Sequence, residues 1–128
     1  MTKQMSQIIH FNVFYQEVKA TKIPVKTAYK LNKLTNAINE HAAFYQEQIR
    51  NLLQDHAEKD AGGEYIYTND NIGVKIKKES QQEFVEKVNE LLALDVELPD
   101  ITFSIEEFGN IELTMESFNI ITPFLIEE

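Results

Sequence analysis

The sequence contains no cysteine and no tryptophan, and its 128 residues include only four glycines and three prolines. Without cysteine, disulfide bonds, thiolate nucleophiles and thiolate metal sites are excluded, which is compatible with a reducing cytoplasm. The sequence also lacks a long apolar run, because polar residues such as His10, Asn12 and Gln16 interrupt its N-terminal apolar stretch. We therefore expect neither a secretory signal nor a membrane-spanning helix.

The composition is that of an ordinary folded protein. Hydrophobic residues make up 43% of the chain and charged residues 26%, so high charge is not combined with the low hydrophobicity of disordered chains. The length is close to the commonest size of one domain. We predict a single domain over residues 1–128.

Basic residues are scarce, and their distribution is uneven. The chain has 12 basic and 21 acidic residues, a net charge of -9. From Glu79 to the end there are thirteen acids and one base, Lys87, a net charge of -12, whereas the preceding part carries +3. Such a dipole could attract a basic partner or orient copies head to tail, and it disfavours nucleic-acid binding by the C-terminal half. The simpler interpretation is a solvated acidic surface.

The segment at 7–20 fits two periodicities. Apolar residues at helical spacing are Ile8, Phe11, Phe14, Tyr15 and Val18, whereas alternation between residues 9 and 15 would suit a strand. We favour a helix over residues 7–20, with Ser6 as its N-cap.

A long helix is the clearest local prediction. Pro24 suits a first helical turn, and no glycine or proline interrupts residues 25–60 before Gly62 and Gly63. A helix over residues 24–60 would be roughly 50 Å long, more than a compact domain of this size needs, so part of its apolar face should contact another chain. Its core-facing stripe is predicted to comprise Leu31, Leu34, Ile38, His41, Tyr45, Ile49 and Leu52.

The remaining segments add shorter elements. Residues 64–77 predict a β-hairpin, because two strand-like segments flank a turn-forming run at 68–71. Ser80 and Glu83 have capping-box spacing, which predicts a helix over residues 81–93. Thr114 is a candidate cap for a helix over residues 115–126, which Pro123 should kink or end. The predicted fold class is α+β: a long helix packed with shorter helices plus a β-hairpin.

No catalytic or metal-binding arrangement can be recognised. His41 and His56 would lie about four turns apart on one helix, too far to share an ion with each other, and His10 has no metal-binding spacing either. The adjacent carboxylates Glu106 and Glu107 would point apart in regular structure rather than form an acid/base pair. We therefore predict no enzymatic activity, no metal and no cofactor.

A basic stripe is predicted on the long helix, because its lysines recur every three to four residues. No arginine or exposed aromatic pattern accompanies these lysines, so nucleic acid is not the expected partner. An intermolecular contact between the stripe and the acidic C-terminal half explains both charged regions, and a solvated helix face is the alternative. The candidate interaction surface comprises Lys22, Lys26, Lys30, Lys33, Glu97, Asp100, Glu106 and Glu107.

Several segments together resemble a known group of proteins. They are Ile-Pro-Val-Lys-Thr-Ala-Tyr-Lys-Leu at 23–31, the long helix after it, Glu-Lys-Asp at 58–60 with the glycines beyond, and the ending from Leu-Thr at 113–114 to Pro-Phe-Leu-Ile-Glu at 123–127. They are similar to a loosely defined group of small tailed-phage proteins. The resemblance covers nearly the whole chain, although the aromatic-rich residues 11–15 replace a more aliphatic helix.

The resemblance implies a phage origin and transfers no catalytic residue. It implies two roles: a structural or assembly protein of the particle, or an inhibitor of a host enzyme. In the second role, the acidic C-terminal half would imitate nucleic acid in the basic cleft of a host defence protein. We expect a homo-oligomer or another protein complex, no membrane partner, and a location in the host cytoplasm or the virion. An assembly protein should expose an apolar patch, whereas a mimic should present acids in a phosphate-like double row.

Overall fold

The computed structural model describes residues 1–68 and 73–126, and its fold class is α+β, as predicted. Short 3₁₀ turns at Met5–Gln7, Lys78–Ser80 and Ile105–Phe108 lie between the regular elements, and a further one at Thr122–Phe124 follows the last of them. In chain order these elements are β1 (Thr2–Gln4), α1 (Phe11–Lys19), α2 (Val25–His56), α3 (Gln81–Leu92), β2 (Asp95–Glu97) and α4 (Met115–Ile121). Within the described residues, no helix combines the length and the apolarity needed to cross a membrane.

The long helix α2 contributes to the core mainly through its first half. Leu31, Leu34 and Ile38 are at most 3% exposed. Further along the same predicted stripe, Tyr45 and Ile49 are only partly buried. The stripe therefore faces the core as predicted near its start, but its far end lies beside α3, which is described in full and has no fully buried residue.

Phenylalanine rings fill the centre of the core, where α1 packs against α4. The Phe11 ring lies 5.5 Å from that of Phe14 and 5.6 Å from that of Phe124, between ring centres. Phe108 stacks edge-on against Phe14 at 5.9 Å. Such tilted and edge-on pairs are the favoured aromatic geometries. The C-terminal segment, although short, is thereby fixed against the N-terminal helix.

A two-stranded antiparallel sheet joins the N-terminal residues to the segment that follows α3. β1 pairs with β2, with Lys3 opposite Val96. Met5 donates a backbone hydrogen bond to the carbonyl of Leu94 at 2.8 Å, which continues this contact. The strand at residues 2–4 was not predicted, because three residues carry too little periodicity to reveal a strand whose partner is distant in sequence.

The predicted hairpin is present as irregular antiparallel pairing. Tyr67 pairs with Val74, while residues 69–72, which include most of the predicted turn, lie outside the described residues. The predicted helix over 24–60 is too long, since α2 ends at His56. Ala57 is fully buried and pairs with Ile76, so tertiary pairing with the hairpin replaces the last predicted turn of helix.

Other predicted helix bounds also need correction. The helix predicted at 7–20 spans 11–19, because Ser6 lies in a 3₁₀ turn rather than at an N-cap. The helix predicted at 81–93 spans 81–92, but Ser80 makes no side-chain capping bond. The helix predicted at 115–126 ends at Ile121, where a 3₁₀ turn containing Pro123 follows. Thr114 is confirmed as its cap, since its hydroxyl accepts a hydrogen bond from Ser117 N at 3.2 Å.

Candidate functional site

An apolar groove lies between α4 and the segment that precedes it. Its volume is about 330 Å³. Both its size and its mainly hydrophobic lining are typical of a site that accepts apolar side chains. The groove is lined by Ile105, Phe108, Gly109, Ile111, Leu113, Thr114, Met115, Phe118, Ile121 and Leu125.

Local sequence explains how α4 forms one wall. Met115, Phe118 and Ile121 are spaced by three residues, which places them on one side of a helix. Ile121 is buried at 1% exposure, whereas Met115 is 74% and Phe118 40% exposed. The wall therefore extends from buried Ile121 in the core to exposed Met115 at the surface. At the solvent-facing end, Met115 and Phe118 are two large apolar side chains that residues 1–68 and 73–126 leave exposed.

The opposite wall depends on a tight turn after the 3₁₀ segment at 105–108. Glu107 Oε2 accepts a hydrogen bond from the backbone N of Ser104 at 2.6 Å, which holds the start of this segment. Gly109 has φ of 68°, a conformation that glycine adopts without steric cost. As a result Phe108 points into the core at 6% exposure, while Ile105 remains 64% exposed beside the groove.

Glu17 of α1 ties the groove to the rest of the fold. Its carboxylate accepts hydrogen bonds from the Thr114 backbone N at 2.8 Å, from the Thr114 hydroxyl at 3.1 Å and from the hydroxyl of buried Ser117. The Ser117 bond, followed by that from the Thr114 backbone, lowers the pKa of Glu17. A negative charge at a helix start is also favourable. Glu17 was not singled out from the sequence, because its partners lie about a hundred residues further along the chain.

One contact expected between molecules forms within a single chain. Lys30 Nζ lies 2.8 Å from Glu107 Oε1 and 4.7 Å from the centre of the Phe103 ring. The hydrogen bond from Lys30 is the largest cause of a lowered pKa of Glu107, and the charge of Lys26 contributes less. Thr27 donates a hydrogen bond to the Glu107 carbonyl at 2.7 Å. The start of α2 and the 105–108 segment are therefore in direct contact.

The predicted interaction residues separate into two groups. Lys22, Lys26 and Lys33 are exposed around the start of α2, close to the Lys30–Glu107 pair. Glu106 is also exposed and belongs to the segment that forms the groove wall.

Glu97 and Asp100 lie apart from this group, at the β1–β2 end of the fold. The Glu97 carboxylate accepts a hydrogen bond from the Thr2 hydroxyl, and the Glu97 carbonyl lies 3.0 Å from His41 Nε2. Asp100 pairs at 2.6 Å with the amino group of Met1, and this hydrogen bond lowers the pKa of Asp100. The structure therefore does not bring all eight predicted residues to one surface.

Two exposed apolar residues accompany the lysines at the start of α2. Val25 is 86% and Tyr29 68% exposed. Being four residues apart, they lie on one side of the helix, opposite the buried side that includes Leu31. Sequence reasoning missed them because it looked for the core-facing stripe. The available signal was their position between the lysines and outside that stripe.

The histidines do not converge on a common site. His10 is exposed next to α1, His41 lies near Glu97, and the His56 ring packs edge-on to Phe84 at 6.4 Å between ring centres. Across residues 1–68 and 73–126, no three histidine or acidic side chains cluster in a way that could hold a metal ion. The side chains that line the groove are apolar apart from the hydroxyl of Thr114, and none of them is titratable. This arrangement can bind an apolar surface.

Comparison with known proteins adds no relative. The chain matches no protein-family model, no curated protein and no solved structure.

Proposed function

We propose that this protein is a non-catalytic structural or assembly protein of a tailed phage that acts by self-association, in the virion or the host cytoplasm. The groove beside α4 carries the proposal. Its exposed side chains Ile105, Met115 and Phe118 lie around one concave apolar site, and exposed apolar patches of this kind can mark interaction surfaces. The phage assignment rests on the sequence resemblance alone.

The apolar groove favours assembly over nucleic-acid mimicry. A mimic needs rows of free carboxylates, and three of the C-terminal acids, Glu97, Asp100 and Glu107, already have partners within the chain. An assembly protein needs hydrophobic burial for most of its affinity, with charge controlling register and association rate. The groove supplies apolar area for hydrophobic burial, and the uneven charge of the chain can control register and association rate.

The proposal is tested by measuring the mass of the full-length protein. Light scattering and sedimentation across a range of protein concentrations should give masses above the 14.8 kDa of one chain. The Met115→Asp variant should dissociate at concentrations where the unchanged protein is assembled. Position 115 is the first residue of α4, where an acidic side chain favours the helix, so this variant should still fold.

A matched control is available on α3. Val85 is 55% exposed and lies outside the groove, so Val85→Asp introduces the same charge without touching the proposed contact. This control should assemble like the unchanged protein. A chain that remains monomeric at every concentration would overturn the proposal, and equal weakening by both variants would remove the groove from it.

A further inference from the structure

We infer that the groove beside α4 receives the exposed face of the α2 start from a second copy of this chain, and that the contact is made twice in a symmetric dimer. This inference rests on the proposed self-association and identifies the surfaces that carry it. The groove is the site lined by residues between 105 and 125. The α2 face is the exposed surface formed by Val25, Tyr29, Lys22, Lys26 and Lys33.

The distribution of exposed apolar side chains supports this pairing. Among the large apolar residues that the structure describes, the four highest exposed fractions belong to Val25 at 86%, Met115 at 74%, Tyr29 at 68% and Ile105 at 64%. Two of them belong to the α2 face and two to the groove. Each surface therefore has apolar area to bury, and the groove has the concave shape that can accept projecting side chains such as Tyr29.

Charge favours pairing of the groove with the α2 face over pairing of either surface with itself. The α2 face carries exposed Lys22, Lys26 and Lys33. The segments that form the groove carry exposed Glu106 and Glu112. Two grooves face to face would oppose carboxylates, and two α2 faces would oppose ammonium groups, both of which are unfavourable. Only the mixed contact brings opposite charges together.

The position of the two surfaces in one molecule favours a closed dimer. Thr27 and Lys30 of α2 contact Glu107, which lies in the segment that forms the groove wall. The start of α2 and the groove wall are therefore adjacent in the fold, although Val25 and Tyr29 project from the outer side of that helix rather than from the side of buried Thr27. When two such surfaces lie on adjacent elements, a two-fold axis between them lets each copy use both surfaces at once, and the assembly closes.

Charge reversal with rescue tests this inference. One variant carries Lys22→Glu and Lys33→Glu, which leaves Lys26 and Lys30 in place beside Glu107. The other carries Glu106→Lys and Glu112→Lys. Each variant alone would place like charges across both contacts, so its dimer dissociation constant should rise at least tenfold at low salt. An equimolar mixture should form a heterodimer with an affinity within about threefold of the unchanged protein, because opposite charges then meet at every contact.

The control is a charge reversal of the same size elsewhere. Lys75 and Lys87 are exposed and outside the groove and the α2 face, so Lys75→Glu with Lys87→Glu should leave the dissociation constant within about threefold. Circular dichroism and thermal melting establish that each variant folds. Sedimentation velocity of each sample then gives both the stoichiometry and the affinity.

The outcomes separate this inference from the proposed function. Rescue in the mixture, with a mass of two chains, supports it. If Met115→Asp dissociates the assembly but the mixed variants show no rescue, the groove has another occupant and this inference is overturned while self-association stands. Rescue in complexes larger than two chains overturns the closed dimer. A monomeric unchanged protein overturns both proposals.

Discussion

Replacing Ile38 with alanine tests the unequal burial along α2. Ile38 is 1% exposed and belongs to the main core cluster. The change removes three buried carbon atoms, which at about 0.8 kcal/mol each corresponds to a loss of about 2.4 kcal/mol. A residual cavity of roughly 40 Å³ would add about 1 kcal/mol. We therefore expect the free energy of unfolding to fall by about 3 kcal/mol.

The measurement is urea unfolding followed by circular dichroism, with the slope of the transition compared between variants. Ile49→Ala is the matched comparison, because Ile49 lies on the same helix but is only partly buried. Its cost should be about half that of Ile38→Ala. Val85→Ala, at a 55% exposed position, should change the free energy by less than about 0.5 kcal/mol.

Two results would refute the reasoning. A change below about 0.5 kcal/mol for Ile38→Ala would mean that the first half of α2 does not face the core. Equal costs for Ile38→Ala and Ile49→Ala in dilute protein would mean that the far half is buried as well. Protein concentration must be varied, because association would stabilise the folded chain by mass action.

Three further predictions concern charge and metal. Hydrogen bonds from Ser117 and Thr114 lower the pKa of Glu17 below its usual value of 4.5. The ionised Glu17 carboxylate therefore stabilises the folded state fully above about pH 4.5, and this stabilisation is lost as the pH falls through the lower pKa of the folded state. Glu17→Gln should therefore flatten the decline of melting temperature between about pH 5 and pH 3, and an unchanged slope would contradict this role. Lys30→Met and Glu107→Gln, measured singly and together, should show a coupling energy of about 1 kcal/mol that decreases with salt, since both side chains remain about a quarter exposed. Chelator treatment should leave the melting temperature unchanged, and elemental analysis that finds stoichiometric metal would contradict the predicted absence of a metal site.

Much of the secondary structure could be predicted because its signals are local. The apolar spacing at 8–18 indicated a helix rather than a strand, and Thr114 was recognised as a cap from its position before an apolar helix. The end of α2 was misplaced because nothing near residue 57 breaks a helix. The hairpin, which pairs Ile76 with Ala57, provides an alternative set of backbone hydrogen bonds there.

The candidate site was predicted only in part. The lysine stripe was visible from its spacing, and Lys26 and Lys33 do remain exposed. The groove could not be predicted, because its walls come from segments whose relative position depends on packing against α1. Similarly, no local pattern indicates that Glu107 meets Lys30 in the same chain rather than in another molecule.

The sequence by itself determined the α+β class, the order of the helices and the separation of acidic from basic residues. These properties follow from residue periodicity and composition, which act over a few turns or over the whole chain. The tertiary structure alone decided which half of α2 enters the core, that Lys30 pairs with Glu107 across 77 positions, and that an apolar groove remains open. Burial and pairing of this kind depend on contacts between segments far apart in sequence, which local periodicity does not specify.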